Sequence, residues 1–218
     1  MCGRYATTRS SADLSKLFAA FDETDDVLAP DYNLAPTDPA PIVRVAEGQR
    51  RISVARWGLL PSWADSPRAG ARMINARSET LQTARAYARP FAEKRCLVPA
   101  DGWFEWVDKK PFFMTLPEGV VFAGLWADNR HGLSSTIVTM PAAGELTKVH
   151  HRMPLLLEED RWEEWLTAEA GPELLLPVDS SYISRIEIRA VGQAIGNVRN
   201  DGPDLVAPIL VKNQETLF

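Results

Sequence analysis

Cysteine is nearly absent from this 218-residue chain, which has only Cys2 and Cys96. Two cysteines build no disulfide framework, and a reducing compartment keeps both as thiols. Histidine is as scarce, with three in all, and neither HExxH nor CxxC occurs. The common zinc spacings are therefore missing, and no metal or other cofactor is expected. No apolar run approaches the roughly 18 residues of a membrane span. The opening MCGRYATTRSS also lacks the apolar stretch of a signal peptide. A cytoplasmic protein with no membrane partner follows. Internal repeats, low-complexity tracts and long linkers are missing too, so a single domain over residues 1–218 is expected.

What is present is a core. Hydrophobic residues make up 45%, and seven tryptophans are many for this length. The net charge of −5 argues against a generic nucleic-acid coat protein. Its distribution is uneven. Arg50 to Arg95 holds nine arginines and one lysine against Asp65, Glu79 and Glu93, a local net of +7. Arginine outnumbers lysine 18 to 6, and arginine is the better bidentate partner for phosphate. The same stretch also reads as a solvated face of mixed charge.

SSADLSKLFAAF has helical periodicity with Ser10 or Ser11 as its cap. PIVRV and RISVARW alternate as strands do. RSETLQTARAYA is expected to be helical, with Ser78 as N-cap, and LEEDRWEEWL is a second strong helix. RCLVPA, GWFEWVD, PFFMTL, VVFAGLW and STIVTM read as separate short strands, and SRIEIRAV as a late one. Regular strand–helix alternation is lacking, so the fold class is α+β: one domain on a mostly antiparallel, curved sheet.

Several residues can carry chemistry. Removal of the initiator methionine, usual before a small residue, would leave Cys2 with a free α-amine beside its thiol. Such an aminothiol condenses with an aldehyde to a Schiff base, and its sulfur then closes a thiazolidine ring. An α-amine near pKa 7.8 is roughly 15% neutral at pH 7, and lysine is neutral about 400-fold less often. The bland reading of Cys2 is a small residue of no consequence. In GWFEW, a strand puts Trp103 and Glu105 on one side and Phe104 and Trp106 on the other. A carboxyl beside aromatic surface has a raised pKa, which suits proton transfer; pairing with Lys109 or an arginine is the alternative. VHHRMP holds two of the histidines. Adjacent histidines point to opposite sides of a strand, so acid/base work next to an anion-binding Arg152 fits better than a metal. His131 belongs to a surface turn. In MINARSET, Asn75 both donates and accepts, and Arg77 at a helix start suits a phosphate; a turn asparagine and a surface arginine are the alternatives. Trp57 reads as core, whereas Trp63, after Pro-Ser in a loop, can stack on a base or simply pack.

In order along the chain stand MCGRY, YNLAPT, RWGLLPSWA, NARSET, RCLVPADGWFEW, FAGLW and HHRMP. From residue 2 to about 157 this succession resembles the SRAP family, the SOS-response-associated peptidase-like proteins that shield abasic sites in DNA. The resemblance implies an open barrel with flanking helices and a thiazolidine cross-link from Cys2 to the ring-opened sugar of an abasic site in single-stranded DNA. It implies that Asn75 holds the amine or sugar, that Glu105 shuttles protons, and that His150 helps open the sugar. It makes Arg4, Arg77 and Arg152 phosphate contacts, with Trp63 as a stacking platform. A monomer acting on single strands or their junctions with duplex, in the cytoplasm or on the nucleoid, belongs to the same expectation, as do lyase and self-processing peptidase activity. This chain departs from the pattern at His151, where the family has an acidic or amide residue. His151 is thereby an understudy for His150. Two other readings stand beside this one: a thiol peptidase using Cys2 or Cys96, and a non-catalytic reader of damaged single strands.

Overall fold

The computed structural model describes residues 2–25 and 27–209. Among the described residues eleven strands follow in chain order: β1 (Tyr5–Thr7), β2 (Phe21–Asp22), β3 (Asp31–Leu34), β4 (Pro39–Ala46), β5 (Gln49–Trp57), β6 (Asn75–Arg77), β7 (Arg95–Val107), β8 (Lys110–Asn129), β9 (Gly132–Pro141), β10 (Arg152–Pro154) and β11 (Glu187–Ala190). Four short helices are set among them: α1 (Ser11–Phe18), α2 (Ala88–Glu93), α3 (Trp162–Thr167) and α4 (Ser180–Ser184). The fold is α+β on a mostly antiparallel curved sheet, as expected.

The sheet closes on itself. β7 pairs with β8, β8 with β9, β9 with β5, β5 with β4, and β4 again with β7; only the β5–β9 contact in this ring is parallel. Closure removes the edges that an open sheet would expose. β7 and β8 outrun the ring. RCLVPA and GWFEWVD, expected as two strands, are one 13-residue strand, and β8 absorbs both PFFMTL and VVFAGLW in 20 residues. Pairing slips between Ala100 and Gly102, and this bulge is where the two strands bend out of the ring. Beyond it, β1 pairs with Trp103 and Gly102 of β7, β3 pairs with β1, and β11 pairs with β8. Pro117 and Gly119, which lie between PFFMTL and VVFAGLW in the sequence, sit in the bulge.

Alternation in GWFEW is realised. Trp103 joins the main core, while Phe104 joins a second cluster with Phe113, Ile195 and Leu205, and Trp106 packs there. Tyr5 stands edge-on to Trp57 at 4.9 Å and to Phe122 at 5.9 Å. Such pairs add about 0.5–1.5 kcal/mol each beyond their burial. They pin β1, and therefore the residues just before it, against the core.

Ser10 caps α1, its hydroxyl accepting from the Asp13 N–H. The helix expected from Ser78 does not form. Ser78–Thr80 is a single 3-10 turn, and helix returns only at Ala88. Thr80 and Thr83 hydroxyls donate to the carbonyls of Arg77 and Thr80, a local alternative to helical hydrogen bonding. LEEDRWEEWL forms a 3-10 turn followed by α3.

The Trp63 loop is held at one tight crossing. A Cβ on Gly58, whose φ is +129°, would sit 2.4 Å from the Gly70 carbonyl oxygen. Gly58→Ala combines a forbidden backbone region with this clash. It is expected to cost about 2 kcal/mol or more, roughly 4–8 °C in melting temperature. A melting curve within a degree of wild type would show that the crossing yields.

Candidate active site

The start of the chain lies beside β7. The Phe104 N–H donates to the Arg4 carbonyl at 2.9 Å, continuing the β1–β7 ladder toward Cys2. Cys2 is fully buried. Its carbonyl accepts from the Asn75 side-chain amide at 2.7 Å. Asn75 opens β6, which runs parallel to β9 through the pairs Asn75–Ile137 and Arg77–Thr139. Two further bonds brace this segment: Trp57 Nε1 donates to the Ile74 carbonyl at 2.9 Å, and Tyr87 Oη to the Asn75 carbonyl at 3.3 Å. The other face of the Asn75 amide, Oδ1, is buried and meets no donor among the described residues. It is therefore available to accept from a bound group.

Burial pushes the Cys2 thiol well above the ordinary thiol value, and the charge of Glu105 adds to the effect. Glu105 is itself only 5% exposed, and burial raises its carboxyl as well. A carboxyl raised in this way holds a proton toward neutrality and can both give and take it. Cys96 is likewise buried and its thiol pushed up by desolvation. Neither sulfur is primed as a thiolate.

His150 follows the 3-10 turn Gly144–Lys148 and leads into β10. His150 Nδ1 lies within reach of both the Arg152 N–H, at 2.9 Å, and the Arg152 carbonyl, at 3.2 Å, and the shorter contact favours the tautomer with the proton on Nε2. Burial lowers its pKa, so the ring is neutral near pH 7. The two histidines do not face opposite ways. Their rings stack at 4.2 Å, because residues 150 and 151 precede the strand rather than belong to it.

The four arginine and tryptophan positions differ in their freedom. Arg77 is exposed, beside a single 3-10 turn rather than a full helix N-terminus. Trp63 is 47% exposed, with the Arg85 guanidinium 4.7 Å from its ring centre. Arg4 is half-buried and donates to Asn33 Oδ1 and to the Ile195 carbonyl. Arg152 is engaged on both sides. It makes a bidentate ion pair with Glu79 and donates to the Thr139 carbonyl at 2.6 Å. The basic stretch is also partly committed to structure. Arg50 pairs with Glu163, and Arg51 with Glu23 and Glu47. Arg95 is buried among the carbonyls of Phe91, Trp165 and Ala168. Arg68, Arg72, Arg77, Arg85 and Arg89 remain exposed.

Glu79 and Asn33 were not singled out in the sequence, though both lie in its motifs. Asn33 clasps Arg4 and donates to the carbonyls of Asn197 and Asn200, about 165 residues away. Nothing local signals such partners. Arg152 holds the Glu79 carboxyl down at about 2. A depressed carboxylate stabilises the fold above its unfolded value, near 4.3, and loses that contribution as pH falls toward 2. Glu79 is half-exposed, which screens the pair to about 1 kcal/mol. Glu79→Gln is expected to lower the melting temperature at pH 7 and to match wild type near pH 2. Parallel melting curves across that range would remove the pair from the pH response.

Fold and site together define a closed α+β sheet that holds Cys2, its carbonyl bonded by Asn75, within the field of the buried Glu105. Residues 1–198 match the SOS response associated peptidase (SRAP) family, and the chain belongs to that family. It is 32% identical over 228 residues to the abasic site processing protein YedK of Escherichia coli (strain K12), covering 96% of this chain and 100% of that one. It is 31% identical over 234 residues to the abasic site processing protein YoaM of Bacillus subtilis (strain 168), covering 94% and 97%. A crystal structure of a protein from Bacteroides thetaiotaomicron shares the fold, with a TM-score of 0.81 at 22% identity over 96% of this chain and 100% of that one. Among the described residues, no helix is long and apolar enough to cross a membrane.

Proposed function

We propose that this protein processes abasic sites in single-stranded DNA by trapping their aldehyde on Cys2 as a thiazolidine. The observation that carries the reading is the seating of Cys2: buried at the chain start, its carbonyl held by Asn75, its thiol within the field of Glu105. Relatives that share about 30% of the sequence bear the name abasic site processing protein.

The proposed sequence of steps starts with the sugar, which exists mainly as a closed hemiacetal. The imidazolium form of His150 gives its Nε2 proton to the ring oxygen, the anomeric hydroxyl gives its own proton to water, and the imidazole is reprotonated from solvent, so the aldehyde is exposed with no net change in protons. The neutral α-amine of Cys2, freed by loss of Met1, adds to the carbonyl carbon. Glu105 protonates the departing hydroxyl, and water leaves to form the iminium. Glu105, now a carboxylate, takes the thiol proton as sulfur attacks the same carbon and closes the ring. One water is released overall. Asn75 Oδ1 accepts from the amine or a sugar hydroxyl throughout. No cofactor enters.

The raised thiol values favour this amine-first order over a thiol peptidase, which would need a ready thiolate. Arg4 and Arg77 contact phosphates, and Arg152 does so by yielding part of its grip on Glu79. Trp63 with Arg85 stacks on a base. The proposed form is a single domain over 1–218, acting as a cytoplasmic monomer on single strands or junctions. The test is a denaturing gel after mixing protein with a strand carrying one abasic site. A covalent band is expected with that strand and not with intact DNA; its absence would leave only a reader of damaged strands.

The exposed Arg77 supplies a separate check. Log affinity against log salt falls by about 0.7 per phosphate neutralised on a single strand. Arg77→Ala is expected to flatten that slope by up to about 0.7, for intact and non-reactive abasic-analogue strands alike. An unchanged slope and affinity would make it a surface arginine.

A further inference from the structure

A cleft of about 260 Å³ opens where β7 and β8 part at their bulge, and none of Cys2, Asn75, Glu105 or His150 lines it. Its apolar wall comes from Leu14 and Phe18 of α1, Val121 of β8 and Trp162 of α3, with Tyr182 of α4 alongside. The Phe18 and Trp162 rings lie 4.6 Å apart. Its charged groups are Arg9, Arg185, Asp101, Glu118, Glu158 and Glu159.

The two arginines are already engaged at Glu118. Arg9 donates to its backbone carbonyl and Arg185 to its carboxylate. The ion pairs nearest in the chain, Arg161–Glu164 and Arg185–Glu118, leave Glu158 and Glu159 aside. Asp101 is hydrogen-bonded by Thr8, yet its Oδ2 is closed off from solvent and meets no donor among the described residues. The cleft thus carries an excess of acceptors and negative charge over an aromatic floor. The Tyr182 hydroxyl reflects this: burial and then Glu118 and Glu158 push it up to about 12.

We propose that this cleft is a second ligand site, built for a small organic cation of the alkylammonium class. The apolar wall takes the alkyl body, whose burial is favourable in proportion to its area. The carboxylates of Asp101 and Glu158 take the ammonium group, which brings the donors they lack. An anion of the same shape meets the carboxylates of Asp101, Glu158 and Glu159 against one guanidinium, Arg9, which is not paired with a carboxylate among the described residues and whose charge already acts on Asp101.

The experiment is isothermal titration of the full chain with n-hexylammonium chloride, and with hexanoate as the anionic counterpart. Saturable binding of hexylammonium without hexanoate binding is expected. Asp101→Asn and Glu158→Gln should each weaken it about tenfold or more, the usual loss for a hydrogen bond to a charged group. Asp101 sits at the bulge, and its variant can fail to fold. Glu158 is half-buried at the surface, so Glu158→Gln, checked by its melting curve, keeps the test sharp. No saturable hexylammonium binding by folded wild type, equal binding of hexanoate, or unchanged affinity in folded Glu158→Gln would overturn the proposal.

Discussion

Cys2→Ala is expected to form no heat- and detergent-stable adduct with abasic single-stranded DNA. The α-amine of the variant still condenses with the aldehyde, but the resulting Schiff base hydrolyses because no sulfur closes the ring. A reductant such as borohydride should recover a covalent band from Cys2→Ala, which separates loss of the sulfur from loss of binding. The buried position of Cys2 makes the substitution a small cavity change, so the fold should persist. An uncleavable tag before Cys2 should abolish the stable adduct as well, since it converts the amine to an amide. A stable, reductant-independent adduct in Cys2→Ala would sink the thiazolidine, and a tagged protein cross-linking at the normal rate would exclude the α-amine.

The next largest effect is expected at Glu105. Loss of a positioned acid/base group costs about 10²–10⁴-fold in rate, so Glu105→Gln should slow cross-linking by that order while affinity for the strand stays near wild type. Stability provides the control. Burial raises the native pKa of this carboxyl, so its contribution is present below the unfolded value near 4.3 and is lost as pH rises through the native one. Glu105→Gln removes that penalty and should melt no lower than wild type at pH 7. A slow variant that melts much lower would point to a packing role. The same rate assay ranks the histidines: His150→Ala should exceed His151→Ala, because Nδ1 of His150 is the one fixed by the Arg152 N–H. The reverse order would move the sugar-opening step to His151.

Much of the fold is legible locally. RISVARW and PIVRV declare strands by alternation, and Ser10 declares a helix start by its hydroxyl. GWFEW declares that Trp103 faces away from Phe104 and Trp106, which the two hydrophobic clusters bear out. These features depend on the period of side chains and on bonds within a few residues. The helix expected after Ser78 shows the limit: Thr80 and Thr83 satisfy backbone carbonyls with their own hydroxyls, and the turn wins over periodicity. The split of β7 and β8 into shorter strands fails for a related reason. Pro117 and Gly119 read as a break in either case, and only the partner strand distinguishes a turn from a bulge.

The candidate site divides in the same way. The amino acids themselves determine that an aminothiol can exist at Cys2, that Asn75 can donate and accept, and that Glu105 lies on the side of Trp103. The tertiary structure decides that the Asn75 amide meets the Cys2 carbonyl across 73 residues. It also decides which arginines are spent. Arg95, within the most basic stretch, is sunk among helix-end carbonyls, and Arg152 is bound to Glu79, while Arg77 stays exposed. Charge along a chain is a sum, but its availability depends on which opposite charge the strand register brings within hydrogen-bond reach. That register is a property of the closed ring of β4, β5, β7, β8 and β9, and no local run of residues contains it.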